Sequence, residues 1–531
     1  MRKGYVVFTI LLLLLGLVGC GANESSGDSE EKVKDTLVFG RGGDSVSLDP
    51  AEVTDGESFK VTENIYDTLV QFGDMDTEIY PSLAKEWNVS DDGLTYTFDL
   101  RENVTFHDGT AFNADAVVYN FERWMNPNEK QEGNFAFYRS MFGGFKGDEG
   151  HVIQEVKAVD EHTVEIVLKR PQAPFLKNLT MASFSIASPQ ALKEYGDEYG
   201  QNPVGTGPFI FKEWKRNDRI VLEKNEEYWM EEYPKLNRVI FKAIPDNSSR
   251  LNALKTGEID MMDGVEPSSV EEIEESEELQ TFIRPSMNIG YLGLNVTRGP
   301  LENKYVRQAL NHAVDKKAII DAFFMGQAEP AKNPIPPSVE GYNDEIEAYP
   351  YDLEKAKELL AKGGYPDGFE MDLWAMPVSR PYMPNGQKVA EAIQASFKEI
   401  GVTTNIQSYE WATYIEKVIA GEADAFLLGW TAPNGDADNF LYTLLDKESI
   451  GSSNSSRYAN DQLHELLVEA QSTIGQEKRN QLYKQALEII HEDAPWIPLV
   501  HSTPALAGTN TITGFHPHPN SSVDLTKVEF E

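Results

Sequence analysis

The sequence predicts an α/β protein built from two lobes with a cleft between them. Its 531 residues exceed what one ordinary domain needs. Up to about residue 290 the chain alternates apolar and polar side chains, a pattern typical of half-buried strands. After residue 300 the apolar segments follow the order strand, helix, strand, strand, which indicates an α/β lobe. The two halves are therefore expected to fold as separate lobes.

The first twenty residues predict export and lipid attachment. Arg2 and Lys3 precede an apolar run over 5–15, which is too short for a membrane span but suits a secretory signal. Leu17-Val18-Gly19-Cys20 is typical of a bacterial lipobox, and Cys20 is the only cysteine. We expect a signal peptide over 1–19 and lipidation of Cys20, which would place the protein on the extracytoplasmic face of the cell membrane. The alternative is an ordinary signal peptide with an incidental cysteine.

Residues 20–35 are expected to form the lipidated cysteine and a flexible tether, because the stretch after Cys20 is small, polar and charged.

The acidic composition argues against nucleic-acid binding. Acidic side chains outnumber basic ones by 86 to 47, so the chain carries a formal charge of −39. Such a surface repels phosphate backbones, and we expect no nucleic-acid partner.

The elements of the first half are predicted strands. Thr36 to Gly40 forms a short apolar segment that ends at glycine. Apolar residues alternate with polar ones over 94–100 and again over 162–168, the period of a strand with one buried face. Asp92-Gly93 in front of the first of these is a turn signal.

The elements of the second half predict a crossover unit. Apolar residues over 387–400 recur at helical spacing. Strand-like segments over 371–374, 402–406 and 425–430 flank this helix. The arrangement favours a sheet with helices packed on it.

Several segments, taken in order, resemble the extracytoplasmic solute-binding proteins of ABC importers, in the peptide and nickel group (family 5) and especially its dipeptide-binding members. They are 83–87 (LAKEW), 92–101 (DGLTYTFDLR), 104–109 (VTFHDG), 114–118 (ADAVV), 203–209 (PVGTGPF), 306–310 (VRQAL), 372–378 (DLWAMPV), 380–385 (RPYMPN), 409–411 (YEW) and 429–431 (GWT). The resemblance implies the two-lobed periplasmic-binding-protein-like fold of class II type, with an extra subdomain in the first lobe. It implies a first lobe over 36–292, a second over 293–502 and a C-terminal return to the first over 503–531. Closure of such lobes on a ligand is hinge bending.

The resemblance also implies ligand residues in the second lobe. Arg380 matches an arginine that binds the carboxylate of a peptide, and a guanidinium can meet a carboxylate with two parallel hydrogen bonds. The alternative for Arg380 is a surface arginine in a proline-rich loop. Tyr382 and Trp411 match aromatic residues that line the pocket for ligand side chains, although each could equally belong to the core.

The ammonium end of a peptide lacks its expected partner. The resemblance places an aspartate three residues after Trp430, where this chain has Pro433, which carries no charge and no N–H. Asp436 is kept as a candidate replacement, whereas Asp438 is interpreted as a structural turn residue. In the first lobe the resemblance places Thr54, Asp55 and Gly56 in the loop that meets the ligand backbone. Asp55 is an alternative ammonium partner.

An enzyme or a metal protein is not expected. The chain has no Gly-x-Ser-x-Gly, His-Glu-x-x-His or P-loop motif, and so no catalytic residue is assigned. His516 and His518 form the one tight histidine pair, and without a visible third ligand we interpret them as two exposed side chains.

The function expected from the sequence is therefore the lipid-anchored substrate-binding subunit of an ABC importer for dipeptides or short peptides. We expect a monomer without cofactor or metal, which contacts ABC permease subunits and is held at the membrane through Cys20. The alternatives are a receptor of the same fold for glutathione, haem or chelated nickel, and a lipoprotein sensor or chaperone that serves no transporter.

Overall fold

The computed structural model describes residues 34–531, and residues 35–531 form one unit. The predicted signal peptide, Cys20 and most of the tether lie outside the described residues. Between residues 34 and 531 no helix has the length and hydropathy needed to cross a bilayer.

The strands are β1 (Thr36–Arg41), β2 (Val70–Phe72), β3 (Ile79–Pro81), β4 (Ala84–Val89), β5 (Thr95–Leu100), β6 (Ile153–Asp160), β7 (Thr163–Leu168), β8 (Phe209–Lys215), β9 (Arg219–Lys224), β10 (Arg238–Ala243), β11 (Met261–Met262), β12 (Leu279–Ile283), β13 (Asn288–Leu294), β14 (Ala328–Pro330), β15 (Glu370–Trp374), β16 (Thr403–Gln407), β17 (Ala425–Thr431), β18 (Trp496–Ser502), β19 (Ala505–Thr509), β20 (Ile512–Thr513) and β21 (Glu529–Phe530).

The α-helices are α1 (Gly56–Thr62), α2 (Ala114–Met125), α3 (Glu129–Asn134), α4 (Ala136–Phe142), α5 (Phe175–Asn178), α6 (Pro189–Tyr195), α7 (Asn247–Lys255), α8 (Val270–Glu274), α9 (Lys304–His312), α10 (Lys316–Phe323), α11 (Leu353–Lys362), α12 (Gly386–Lys398), α13 (Trp411–Ala420), α14 (Ala437–Leu445), α15 (Asp461–Ser472) and α16 (Gln476–Asp493).

The first lobe is built on a seven-stranded sheet in the order β12-β19-β11-β1-β10-β9-β8. Its centre is parallel, because β1 pairs in parallel with both β10 and β11. The C-terminal strand β19 enters this sheet between β11 and β12 and runs antiparallel to both. The chain after residue 503 therefore contributes a strand to the same sheet as β1.

A four-stranded antiparallel sheet, β4-β5-β7-β6, forms the subdomain of the first lobe. The structure confirms the two strands predicted from alternating residues as β5 and β7. Buried and partly exposed positions alternate along both strands. Helix α2 lies against β6 and β7 and contributes to a core of its own, which includes Phe121 and Trp124. The subdomain thus has a hydrophobic core separate from that of the seven-stranded sheet.

The second lobe is a six-stranded sheet in the order β14-β18-β13-β17-β15-β16, with helices on both faces. The predicted strand, helix and strand are confirmed as β15, α12 and β16, and β15 pairs in parallel with β16 and β17. Strand β13 is buried at all seven positions because it lies between β17 and β18 under both helical layers.

The two sheets are joined by two crossings of the chain that lie side by side. One leads from β12 to β13 over 284–287, and the other leads from β18 to β19 over 503–504. The predicted boundary at 292/293 is wrong by a few residues, because all of β13 pairs within the second sheet. Arg284 N donates to Pro504 O at 3.0 Å, and the Asn288 amide binds Ser502, so the crossings are bonded to each other.

Candidate ligand-binding site

A tight turn over 380–383 presents Arg380 at the surface of the second lobe. Arg380 N donates to Met383 O at 3.1 Å, and Met383 N donates to Arg380 O at 2.9 Å. Pro381 occupies the second position of the turn, where a fixed φ near −65° favours the bend. Met383 is buried in the core, whereas Arg380 is exposed. The turn therefore anchors one end of the segment and leaves the guanidinium outside.

The turn lies directly on two glycines of the sheet. Gly290 of β13 and Gly429 of β17 are register partners. A Cβ atom added to Gly429 would lie 2.5 Å from Tyr382 Cε2 and 2.5 Å from Ile289 O. A Cβ atom added to Gly290 would overlap the carbonyl oxygen of Tyr382. Only glycine at both positions permits Tyr382 to approach this closely.

Trp411 forms the aromatic side of the same group. The Arg380 guanidinium lies 5.7 Å from the centre of the Trp411 ring, within the range of a cation–π contact. The Trp411 ring stacks on Tyr414, with centres 6.0 Å apart and planes 14° from parallel. Tyr414 is buried and its hydroxyl donates to Leu427 O at 2.7 Å. Trp411 is thereby fixed to the sheet that also carries the turn.

The guanidinium of Arg380 is not neutralised by a protein carboxylate among residues 34–531. Its Nη1 donates to the neighbouring carbonyl oxygen of Ser379 at 3.2 Å. Burial raises the pKa of the Tyr382 phenol, and the charge of Arg380 and a hydrogen bond from it oppose that rise. The structure thus brings together three of the predicted residues, Arg380, Tyr382 and Trp411, with a positive charge facing solvent.

The loop after β17 carries Pro433 and the two candidate acids. Both carboxylate oxygens of Asp436 accept hydrogen bonds from Arg479, each at 2.7 Å. Burial alone would raise the pKa of Asp436, but the charge and hydrogen bonds of Arg479 hold it below its ordinary value. Asp436 also caps α14, accepting from Asp438 N at 2.9 Å. Its carboxylate is fully engaged within the lobe, which argues against the predicted role as ammonium partner.

Asp438 lies in the first turn of α14, in agreement with its interpretation as a structural residue. One oxygen accepts from Gln471 Nε2 at 3.3 Å. Burial and the neighbouring Asp436 raise the pKa of Asp438 to about 7.

The predicted first-lobe residues lie at the start of α1. Asp55 is the N-cap of that helix, since its Oδ1 accepts from Ser58 N at 2.9 Å. Thr54 and Gly56 beside it are exposed. Within the described part of the chain, no hydrogen bond or ion pair joins this loop to the Arg380 turn.

Only one member of the histidine pair near the C-terminus is exposed as predicted. His516 is exposed, but His518 is buried, which corrects the interpretation of two exposed side chains. His518 Nε2 is bonded to Asp76 O at 2.7 Å, and its ring stacks on Phe72. Among residues 34–531 no group of three histidine, cysteine or acidic side chains is placed to hold a metal ion.

A cavity of about 170 Å³ lies inside the first lobe, and none of the predicted ligand residues lines it. Its walls include Glu63, Asp67, His518 and Asp524. Burial raises the pKa of Glu63 to about 7, although a hydrogen bond from Val523 N opposes the shift.

Two sets of residues around the site are not predicted from the sequence. The first is the glycine pair under Tyr382, of which Gly429 was visible only as part of the Gly-Trp motif. The second is Lys177 and Asn178 of α5, which reach the loop after β17 from the first lobe. No local pattern distinguishes Lys177 from the many exposed lysines of the chain.

Comparison with known proteins adds the following similarities. Residues 78–452 match the family described as bacterial extracellular solute-binding proteins, family 5 Middle. Heme-binding protein A of Haemophilus influenzae is 39% identical over 520 residues, which cover 93% of each chain. The dipeptide-binding protein of Escherichia coli is 40% identical over 488 residues, covering 88% of this chain and 89% of that one.

A solved structure shows the same fold. The ABC transporter-associated periplasmic binding protein DppA from Helicobacter pylori, in complex with the peptide STSA, superposes with a TM-score of 0.77. It is 37% identical, and the match covers 94% of this chain and 98% of that one.

Proposed function

Since this chain belongs to the bacterial extracellular solute-binding proteins of family 5, we propose that it binds dipeptides or short peptides and delivers them to an ABC permease. The observation that carries the proposal is the Arg380 group: an exposed guanidinium that no carboxylate of residues 34–531 neutralises, set beside Tyr382 and Trp411. The relatives named above for dipeptides and for the peptide STSA support the same class of ligand.

The carboxylate of a peptide is the natural partner of Arg380. An ionised carboxylate that is buried without a cation is costly, and a guanidinium repays that cost with two directed hydrogen bonds. The aromatic rings of Tyr382 and Trp411 offer apolar contact that does not depend on one particular side chain. A receptor for varied peptides needs this combination of a fixed charge and tolerant walls.

The ammonium end of the peptide is assigned to the first lobe. Pro433 cannot bind it, and Asp436 is committed to Arg479. We assign the role to Asp55, which flanks the exposed Thr54 and Gly56 at the start of α1. A ligand held by Arg380 on one lobe and by Asp55 on the other would favour the closed arrangement of the two lobes.

The lipid anchor belongs to the same proposal. Acyl chains on Cys20 would hold the protein at the extracytoplasmic face of the cell membrane, and a polar tether to residue 35 would leave the lobes free to bend. The protein would act as a monomer that meets the permease subunits at the membrane. Metabolic labelling with a palmitate analogue tests the anchor, because the Cys20→Ser chain would lose the label, and a label that persists in that chain would exclude Cys20 as the acylated residue.

Calorimetric titration tests the ligand class. The full-length chain with Cys20→Ser would be titrated with di- to pentapeptides, with glutathione, with haemin and with nickel chelates. We expect heat of binding with peptides that have a free carboxylate, and weaker binding when that carboxylate is amidated. Absence of binding to every peptide would refute the proposal and favour whichever of glutathione, haem or chelated nickel gives a signal.

Haem is the second candidate, because the relative named heme-binding protein A matches over 93% of this chain. Haem propionates could also meet Arg380, so haemin competition against a bound peptide separates one shared site from two. A sensor or chaperone without a transporter would be indicated if no ATPase or permease gene accompanies the gene for this chain.

A further inference from the structure

Contacts outside the two crossings join the subdomain of the first lobe to the second lobe. Lys177 Nζ, at the end of α5, donates to Glu340 Oε2 at 2.6 Å and approaches the Gly435 carbonyl oxygen at 3.5 Å. The next residue, Asn178, accepts a hydrogen bond from Asn434 Nδ2 at 2.8 Å. Two consecutive first-lobe residues therefore bind the loop that follows Trp430.

These contacts are shielded from solvent to different degrees. Asn178 and Asn434 are 1% and 2% exposed, so their hydrogen bond lies in a dry interface. The Lys177 side chain is 9% exposed, whereas its partner Glu340 is 42% exposed. Separation of the lobes would exchange this hydrogen bond for hydrogen bonds to water, so the amide pair stabilises the packed arrangement by about 0.5–1.5 kcal/mol.

Two further contacts continue the same interface. Ala173 N donates to Gln471 O at 2.7 Å, and the side chain of Ile474 packs directly on the backbone of Gly93. All of these first-lobe residues belong to the subdomain or its flanking turns, and all of their partners belong to the second lobe.

The geometry of the connection gives these contacts a role in lobe movement. Between residues 34 and 531 the chain passes from one sheet to the other only over 284–287 and 503–504. Bending there would move the second lobe relative to the subdomain. Hydrogen bonds of 2.6–2.8 Å are lost when donor and acceptor separate beyond about 3.5 Å, so a small movement breaks this interface.

We propose that Lys177 and Asn178 form a clasp that holds the 431–435 loop against the subdomain and so regulates closure of the ligand site. The 431–435 loop borders the ligand only if the proposed function is correct. The contacts of the clasp do not depend on that function. The clasp adds stability to the present arrangement of the lobes, and its loss shifts the population toward arrangements in which the lobes are further apart.

Small-angle X-ray scattering on the ligand-free chain tests the clasp independently of any ligand. The full-length chain with Cys20→Ser would be compared with the same chain carrying Lys177→Ala, Asn178→Ala or Glu340→Ala. Glu340→Ala is included because it removes the ion pair from an exposed position without opening a cavity. Lys157→Ala is the matched control, since Lys157 pairs with Glu165 inside the subdomain at 2.6 Å.

We expect the radius of gyration to increase in all three clasp variants and to stay unchanged in Lys157→Ala. Equal radii in the parent, the clasp variants and the control would overturn the proposal. In a second measurement, titration with the peptide STSA, the clasp variants should bind at least about fivefold more weakly, because the closed arrangement is less populated. If STSA fails to bind even the parent chain, the proposed function is in error, and the scattering result still decides the clasp.

Discussion

Gly429→Ala places a methyl group where the Tyr382 turn rests on the sheet. The new Cβ atom would lie 2.5 Å from Tyr382 Cε2 and 2.5 Å from Ile289 O. Carbon atoms in contact prefer separations of roughly 3.5 Å, so the ring must move by about 1 Å. The contact with Ile289 O, which lies in the paired strand, is relieved only by a small shift of β17 itself. The contact with the Tyr382 ring is relieved by displacement of the turn that carries Arg380.

We expect Gly429→Ala to lower peptide affinity although residue 429 itself is not assigned a contact with the peptide. Overpacking of this kind costs about 1–3 kcal/mol of folding stability. A guanidinium displaced by about 1 Å also loses the aligned pair of hydrogen bonds to a carboxylate, since such bonds weaken steeply with distance and angle. We expect STSA or dipeptide affinity, measured by calorimetry, to fall at least about tenfold.

Gly293→Ala is the matched control on the same pair of strands. Its Cβ atom would lie 2.6 Å and 2.9 Å from two atoms of the Phe426 ring, so it overpacks the sheet without reaching the turn. Both variants should lower the melting temperature, but only Gly429→Ala should weaken binding. Equal affinities for Gly429→Ala and Gly293→Ala would refute the inference that close packing of the Tyr382 turn on Gly429 positions Arg380.

Three other changes test separate parts of the description. Arg380→Ala should weaken peptide binding at least several-fold in calorimetry, and Arg380→Lys should recover only part of it, because lysine cannot form the bidentate pair; unchanged affinity would exclude the carboxylate role. Arg479→Ala should reduce the free energy of unfolding in urea by about 3–5 kcal/mol, because it leaves the buried Asp436 unpaired, and a loss under 1 kcal/mol would contradict that pairing. Glu63→Gln should flatten the pH dependence of stability: the folded pKa of Glu63 is raised to about 7 from 4.5, so parent stability declines as pH rises from about 4.5 to 7, and the variant should gain on the parent across that window and keep the gain above it. Parallel stability curves from pH 4 to 8 would contradict the burial of this carboxyl.

Local patterns predicted those parts of the fold in which a side chain's neighbours in sequence decide its environment. The alternation over 94–100 gave β5, and the helical spacing over 387–400 gave α12, since one face of each is buried. The boundary at 292/293, which the resemblance implies, lies inside β13. That strand is buried at all seven positions, so its sequence carries no alternation to show which sheet it joins.

The site was predicted in part, and the missing part depends on contacts between distant residues. Arg380, Tyr382 and Trp411 lie within one lobe, and the structure places them beside one another. Asp436 was kept as a ligand residue because its partner, Arg479, lies 43 positions away and on another helix. Lys177 and Glu340 are 163 positions apart, and pairing over that distance leaves no trace in local sequence.

The position of β19 has a consequence for how the chain is made. This strand is an interior member of the first sheet, pairing with β11 and β12 more than 200 residues earlier in the chain. The sheet cannot be completed until residue 509 of 531 is available, so the first lobe stays unfinished throughout synthesis. Contacts of such long sequence separation also form slowly. The first lobe is thus completed by one of the last strands to be synthesised, whereas the sheets of the subdomain and of the second lobe need no residue beyond 502.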